Sequence, residues 1–87
     1  MANKQKYPVD AATQAGRVIK RFGSAYRLAK VTGLSFTTVY RWCYPRSAGG
    51  SDGVIPRTAL PKVLAAATQN GIVLSAEDLD PRPSYLD

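Results

Sequence analysis

The stretch from Ser24 to Tyr44 constrains the fold more than any other part of the chain. Two short segments with helical periodicity flank a gap of three residues around Gly33. Ser24 and Ser35 each stand just before one of them, where a hydroxyl can accept from the free N–H groups of a first turn. Gly33 supplies the turn position that favours a positive φ. Helices joined so tightly must cross steeply, and their close approach requires a small side chain where they touch. Ala29 is that residue, four before Gly33. Val39 plugs the space between the helices and Trp42 extends the plug on the same face. The spacing predicts a helix from Ala25 to about Thr32, with Leu28 and Ala29 facing inward. A second runs from Ser35 through Cys43 or Tyr44 and is stopped by Pro45, since proline biases the preceding residue away from helix.

Around this pair the remaining elements follow from periodicity and punctuation. Asp10 is a fair N-cap for a first helix, whose buried face is Ala11, Ala15, Val18, Ile19 and Phe22. Arg17, Lys20 and Arg21 fall elsewhere on that helix, and Gly23 ends it. Residues 47–53 (Ser-Ala-Gly-Gly-Ser-Asp-Gly) read as a loop. Val54 and Ile55 re-enter the core and Pro56 opens a fourth helical region. With Thr58 as its N-cap, Pro61 falls in the first turn, where a missing N–H costs little. Leu60, Val63, Leu64 and Ala67 form its apolar face, which ends at Asn70-Gly71. Ile72-Val73-Leu74 is a short extended link. Ser75 and Asp78 resemble a capping box with Asp in place of Glu, opening a last helical turn that Asp80-Pro81-Arg82-Pro83 closes. The expected fold is all-α, a compact four- to five-helix domain with a Gly-rich loop after the third helix. Residues 1–9 read as a flexible basic arm, 10–80 as the domain, and 81–87 as a Pro-containing tail.

Eighty-seven residues leave room for one modest core and no second domain. A chain of this size buries roughly two-thirds of its unfolded surface, so self-association would be a natural supplement. No apolar run approaches the roughly 20 residues needed to span a bilayer, and residues 1–6 lack the apolar core of a secretory signal. The single cysteine, Cys43, fits a reducing cytoplasm. Charge is unevenly placed. Residues 1–62 hold eleven of the twelve Lys and Arg against Asp10 and Asp52, a net +9. Residues 63–87 hold Arg82 against Glu77, Asp78, Asp80 and Asp87, a net −3. A basic body attracts polyanions whatever their sequence.

The pattern Ala29…Gly33…Val39…Trp42, with Leu28 and Leu34 in step, resembles the helix-turn-helix of Cro-like and phage-repressor-like regulators. It departs at Thr32, where that family usually carries an apolar residue and where a threonine methyl can substitute. Gly49-Gly50, Gly53 and Val54-Ile55-Pro56 look like the loop-to-helix junction of small phage-borne YdaS-type regulators. Leu79-Asp80-Pro81-Arg82-Pro83 is similar to the tail of that group. The resemblance covers roughly residues 10–83. It implies sequence-specific binding to double-stranded DNA, with the third helix in the major groove; one such helix reads only a few base pairs, so a homodimer on a partly palindromic site is expected.

At about 100° per residue, Ser35, Val39, Trp42 and Cys43 cluster on one side of the third helix, the core side. The opposite side carries Thr37, Tyr40, Arg41 and Tyr44, with Phe36 and Thr38 on its two boundaries. Arg41 can make a bidentate contact to guanine O6 and N7, and Thr37 can touch a base edge or a thymine methyl. Tyr40, Tyr44 and Phe36 complete the expected base-contacting set. Ser24, Arg27, Lys30, Ser35, Thr38 and Arg46 are the expected phosphate contacts, Ser24 helped by the free N–H groups of a helix start. The glycine loop lacks the spacing and the Lys-Ser/Thr pair of a Walker-type phosphate cradle, and reads as a connection or a wing beside the helix.

Neither catalysis nor metal binding has residues to work with. There is no histidine, and one cysteine cannot build a zinc site. No cofactor is expected. Two other functions compete with a DNA-reading regulator. One is a protein-binding module such as the antitoxin of a toxin–antitoxin pair, whose acidic tail covers a basic toxin, or a partner of RNA polymerase. The other is a nonspecific nucleic-acid-binding protein using only the basic body.

Overall fold

The computed structural model describes residues 9–82, so the proposed arm up to Pro8 and the tail from Pro83 lie outside the described residues. The described residues fold into four α-helices, α1 (Gln14–Phe22), α2 (Ala25–Thr32), α3 (Phe36–Arg41) and α4 (Leu60–Gln69), and contain no strand. A single 3₁₀ turn, Arg46–Ala48, interrupts the loop between α3 and α4. Helix α2 is the hub and packs against the other three. Val18, Ile19, Leu28, Val39 and Val63, drawn from all four helices, are fully buried together. Each such aliphatic side chain contributes about 1.5–3 kcal/mol relative to exposure.

The α2–turn–α3 pair forms as its caps dictate. Ser24 Oγ accepts from the Arg27 N–H at 3.1 Å, and Ser35 Oγ accepts from the Thr38 N–H at 3.0 Å. Gly33 sits at φ +77°, a conformation that L side chains rarely adopt, and both it and Leu34 donate N–H groups to the Ala29 carbonyl. Thr32 turns its hydroxyl back onto the Leu28 carbonyl at 2.7 Å, which satisfies that hydroxyl at the apolar position.

Several boundaries differ from the sequence expectation. Helix α1 starts at Gln14 with Thr13, not Asp10, as its cap. Thr13 Oγ1 accepts from the Gly16 N–H at 3.0 Å. Asp10 builds a preceding turn instead, its carboxylate accepting from the Ala12 N–H and its carbonyl from the Thr13 hydroxyl. Ala11 therefore lies outside the helix and exposed. Helix α4 is capped at Ala59 and not at Thr58, because the Ala59 and Leu60 N–H groups both turn to the Pro56 carbonyl at 3.0 Å. Pro61 still falls in the first turn. The buried face of α4 is Val63, Ala66 and Ala67, while Leu64 is exposed. Helix α4 packs against α2, and the side chains it buries are two small alanines and one valine.

Helix α3 stops at Arg41, short of Cys43, and Pro45 is not what ends it. The N–H groups of Trp42, Cys43 and Tyr44 tighten onto the carbonyls three residues back, at 3.0–3.1 Å. The glycine loop then folds over this end of the helix. Ser51, Gly53 and Asp52 donate N–H groups to the carbonyls of Arg41, Trp42 and Tyr44 at 3.3, 2.6 and 2.8 Å. The carbonyls at a helix end run short of intrahelical donors, and the loop supplies them; that of Arg41 accepts from the Tyr44 N–H as well. Gly50 is required there, since a Cβ would collide with the Tyr44 and Arg41 carbonyls. The loop is thus a backbone cap fastened to α3 and not a free wing.

At the C-terminal end, Ser75 and Asp78 make both halves of the expected box. The Ser75 N–H donates to Asp78 Oδ2 at 3.0 Å and the Asp78 N–H to Ser75 Oγ at 3.2 Å. Arg21 Nε joins that carboxylate at 3.0 Å and ties the turn to α1. Gln14 completes the closure. Buried at the start of α1, it accepts from the Ile55 N–H at 2.7 Å and donates to the Leu79 carbonyl at 2.6 Å, joining three distant segments with one amide.

Candidate nucleic-acid interface

Burial of Val39 and Trp42 sets which side of α3 faces out. Val39 is wholly enclosed and Trp42 is 3% exposed. Thr37, Thr38 and Arg41 are exposed as a result, and Phe36, the first residue of α3, is 45% exposed despite being apolar. Tyr40 is half-buried, packed on the core edge, with its ring perpendicular to Phe36 at a centroid distance of 4.6 Å. Burial raises the Tyr40 phenol pKa, so at neutral pH the hydroxyl keeps its proton and can donate. Tyr44 is half-buried beneath the capping loop.

The outward surface has two unlike flanks. On one side Phe36 contacts Tyr40 and, at 6.5 Å, Tyr26 of α2, which is 65% exposed. Tyr26 borders a groove on α2 with Arg27, Lys30 and Val31. On the other side Arg41 and Thr38 border a hollow against Gly49, Gly50 and Ser51 of the loop. Tyr26 was not among the residues expected from the sequence. Its signal was a large aromatic two places into a helix whose inward positions were already filled by Leu28 and Ala29.

The expected phosphate contacts divide by what their side chains already do. Arg27 and Lys30 are exposed on α2. The hydroxyls of Ser24 and Ser35 are engaged as caps, and Ser35 also donates to Thr38 Oγ1 at 2.8 Å. What the two serines can offer an anion is the start of a helix. Arg46 is exposed, with Nε on Asp52 Oδ2 at 3.0 Å and its backbone N–H on Asp52 Oδ1 at 2.8 Å. That pair pins the loop and orients the guanidinium outward.

Charge reinforces the geometry. Residues 11–51 contain seven Lys or Arg (Arg17, Lys20, Arg21, Arg27, Lys30, Arg41 and Arg46) and no Asp or Glu. Arg17 and Arg21 serve the fold, donating to the Asp80 carbonyl and the Asp78 carboxylate. The acidic groups of the C-terminal turn gather there, beside α1. Asp78 is held below its usual value first by the Ser75 N–H and then by Arg21. Cys43 is half-buried and its thiol pKa is raised by burial, so it is protonated at neutral pH. Among the described residues no three His, Cys, Asp or Glu side chains gather closely enough to hold a metal ion. No described helix is long and apolar enough to cross a membrane. Comparison with known proteins returned no match, whether against family models, curated proteins or solved structures.

Proposed function

We propose that this protein is a sequence-specific double-stranded DNA-binding regulator that lays α3 in the major groove, and that it is not an enzyme. The observation that carries the reading is the split of α3. Its valine and the tryptophan that follows are locked inside, while Thr37, Thr38, Arg41 and Phe36 stand outside, and neither α2 nor α3 carries a carboxylate. The exposed arginine that closes α3 suits bidentate pairing with guanine, and Arg27 and Lys30 suit phosphates on the flanking backbone. The resemblance to phage-repressor-like and YdaS-type regulators supports the same reading and favours a repressor of phage or prophage origin. One such helix reads only a few base pairs, so a homodimer on two half-sites is the natural working form. Leu64 and Val73, 39% and 84% exposed, are apolar positions a second copy could cover.

Selection of bound sequences from random DNA tests the function. It should return a preferred site with two-fold symmetry, bound well above scrambled DNA at one fixed, near-physiological salt concentration. Equal affinity for both sequences would leave only nonspecific polyanion binding.

A further inference from the structure

We propose that the aromatic flank of α3, built by Tyr26, Phe36 and Tyr40, is a reader of thymine methyl groups, so that the protein's preferred half-site places thymines beside the base read by Arg41. This rests on the DNA-binding reading above and specifies what half of that surface recognises. Phe36 leaves 45% of its surface in water at the first position of α3, although its ring meets Tyr40 edge-on at 4.6 Å and lies 6.5 Å from Tyr26. An aromatic cluster so exposed is an apolar surface ready for a partner.

The chemistry of its surroundings decides which partner. The flank is bordered by Arg27 and Lys30, and no carboxylate occurs anywhere in residues 11–51, so a polyanion is favoured over a neutral or basic protein surface. Within a DNA major groove the one apolar feature is the thymine 5-methyl. Thr37, exposed and next to Phe36 in the chain, carries a methyl of its own. The two flanks then divide the work. Arg41 pairs with a hydrogen-bonding edge, and the aromatic flank selects the base that carries a methyl and rejects cytosine, which offers an amino donor and no methyl there.

The test uses the full-length protein and its selected duplex, compared with the same duplex carrying deoxyuridine at each thymine. That exchange deletes the methyl and leaves every hydrogen-bonding group in place. Affinity should fall about fourfold per contacted methyl, the effect of removing one buried carbon's worth of apolar contact. Phe36→Ala should bind the thymine and uracil duplexes alike, whereas Arg41→Ala should keep the thymine preference. Because Phe36 is exposed, circular dichroism should show its alanine variant folded. The wild-type comparison needs no variant at all. Equal wild-type affinity for the two duplexes, with the selected site still preferred over scrambled DNA, overturns the methyl reading alone. A thymine preference that survives in Phe36→Ala does so too, by assigning it to DNA shape. No preference for any selected site overturns the DNA-binding reading and this inference with it.

Discussion

Replacing Gln14 with leucine probes the closure that holds the reading surface in place. The side chain is 3% exposed, and leucine matches its size closely enough to leave little cavity. The loss is therefore one of hydrogen bonds. The Ile55 N–H, buried at 2.7 Å from Gln14 Oε1, is left without an acceptor, at about 1–3 kcal/mol. The Leu79 carbonyl, 2.6 Å from Nε2 and only partly buried, adds about 1 kcal/mol. The sum, roughly 2–4 kcal/mol, is a large part of the roughly 5–15 kcal/mol that stabilises a small domain. At about 4–8 °C per kcal/mol the melting temperature should drop by roughly 10–30 °C. Urea unfolding followed through the single tryptophan, Trp42, measures the free energy directly. Hydrogen exchange at the Ile55 amide should lose its protection. Gln14→Glu should also destabilise, because a carboxylate cannot donate to the Leu79 carbonyl, and the defect should lessen as acid protonates it. A change below about 0.5 kcal/mol in the leucine variant, with Ile55 still protected, would refute the role given to this amide.

Other outcomes follow from the same packing and electrostatics. Trp42→Ala should cost about 3–5 kcal/mol and unfold much of the domain; an unchanged melting temperature would mean that the faces of α3 are misassigned. Arg41→Ala should leave the melting temperature unchanged, cost about 1–3 kcal/mol in binding and relax preference at one base pair, as a base-substitution series would show. Lys30→Ala should instead weaken all sequences alike and reduce the slope of log affinity against log salt by about one. Asp78 has its folded pKa below its unfolded value, so its contribution to stability is fully present above the ordinary carboxylate range and lost as pH falls through the folded value. Wild-type melting temperature should therefore decline on acidification below about pH 4, and Asp78→Asn should start lower at neutral pH and decline less.

What the sequence disclosed was local. Ser24, Ser35, Gly33 and the Ser75–Asp78 box act within four residues of themselves, and their chemistry suffices to place them. Val39 and Trp42 were legible because a three-residue turn leaves two short helices one way to bury their apolar residues. The errors lie where two local readings competed or where the partner is distant in the chain. Asp10 and Thr13 are both good caps, and only the fold of the preceding turn chooses the threonine. Leu64 and Ala66 both fit helical spacing, and the packing of α4 against α2 selects the alanine. Gln14 reaches across 41 and 65 residues to its two partners, and nothing local marks it. The loop's cap on α3 is made by backbone N–H groups, which leave no side-chain signature beyond the glycines. Of the candidate interface, Thr37 and Arg41 stood where helical spacing put them, whereas Tyr26 joins the surface only through the crossing of α2 and α3.

Titrating the isotope-labelled protein with its selected duplex and following backbone amide shifts is the most direct measurement of where DNA binds. The largest shifts should fall at the start of α2 (residues 24–30) and along residues 35–44, and the α4 amides should move little. Shifts centred on α4 and the Ser75–Asp80 turn, with α3 unmoved, would contradict the assignment of α3 as the DNA-reading helix.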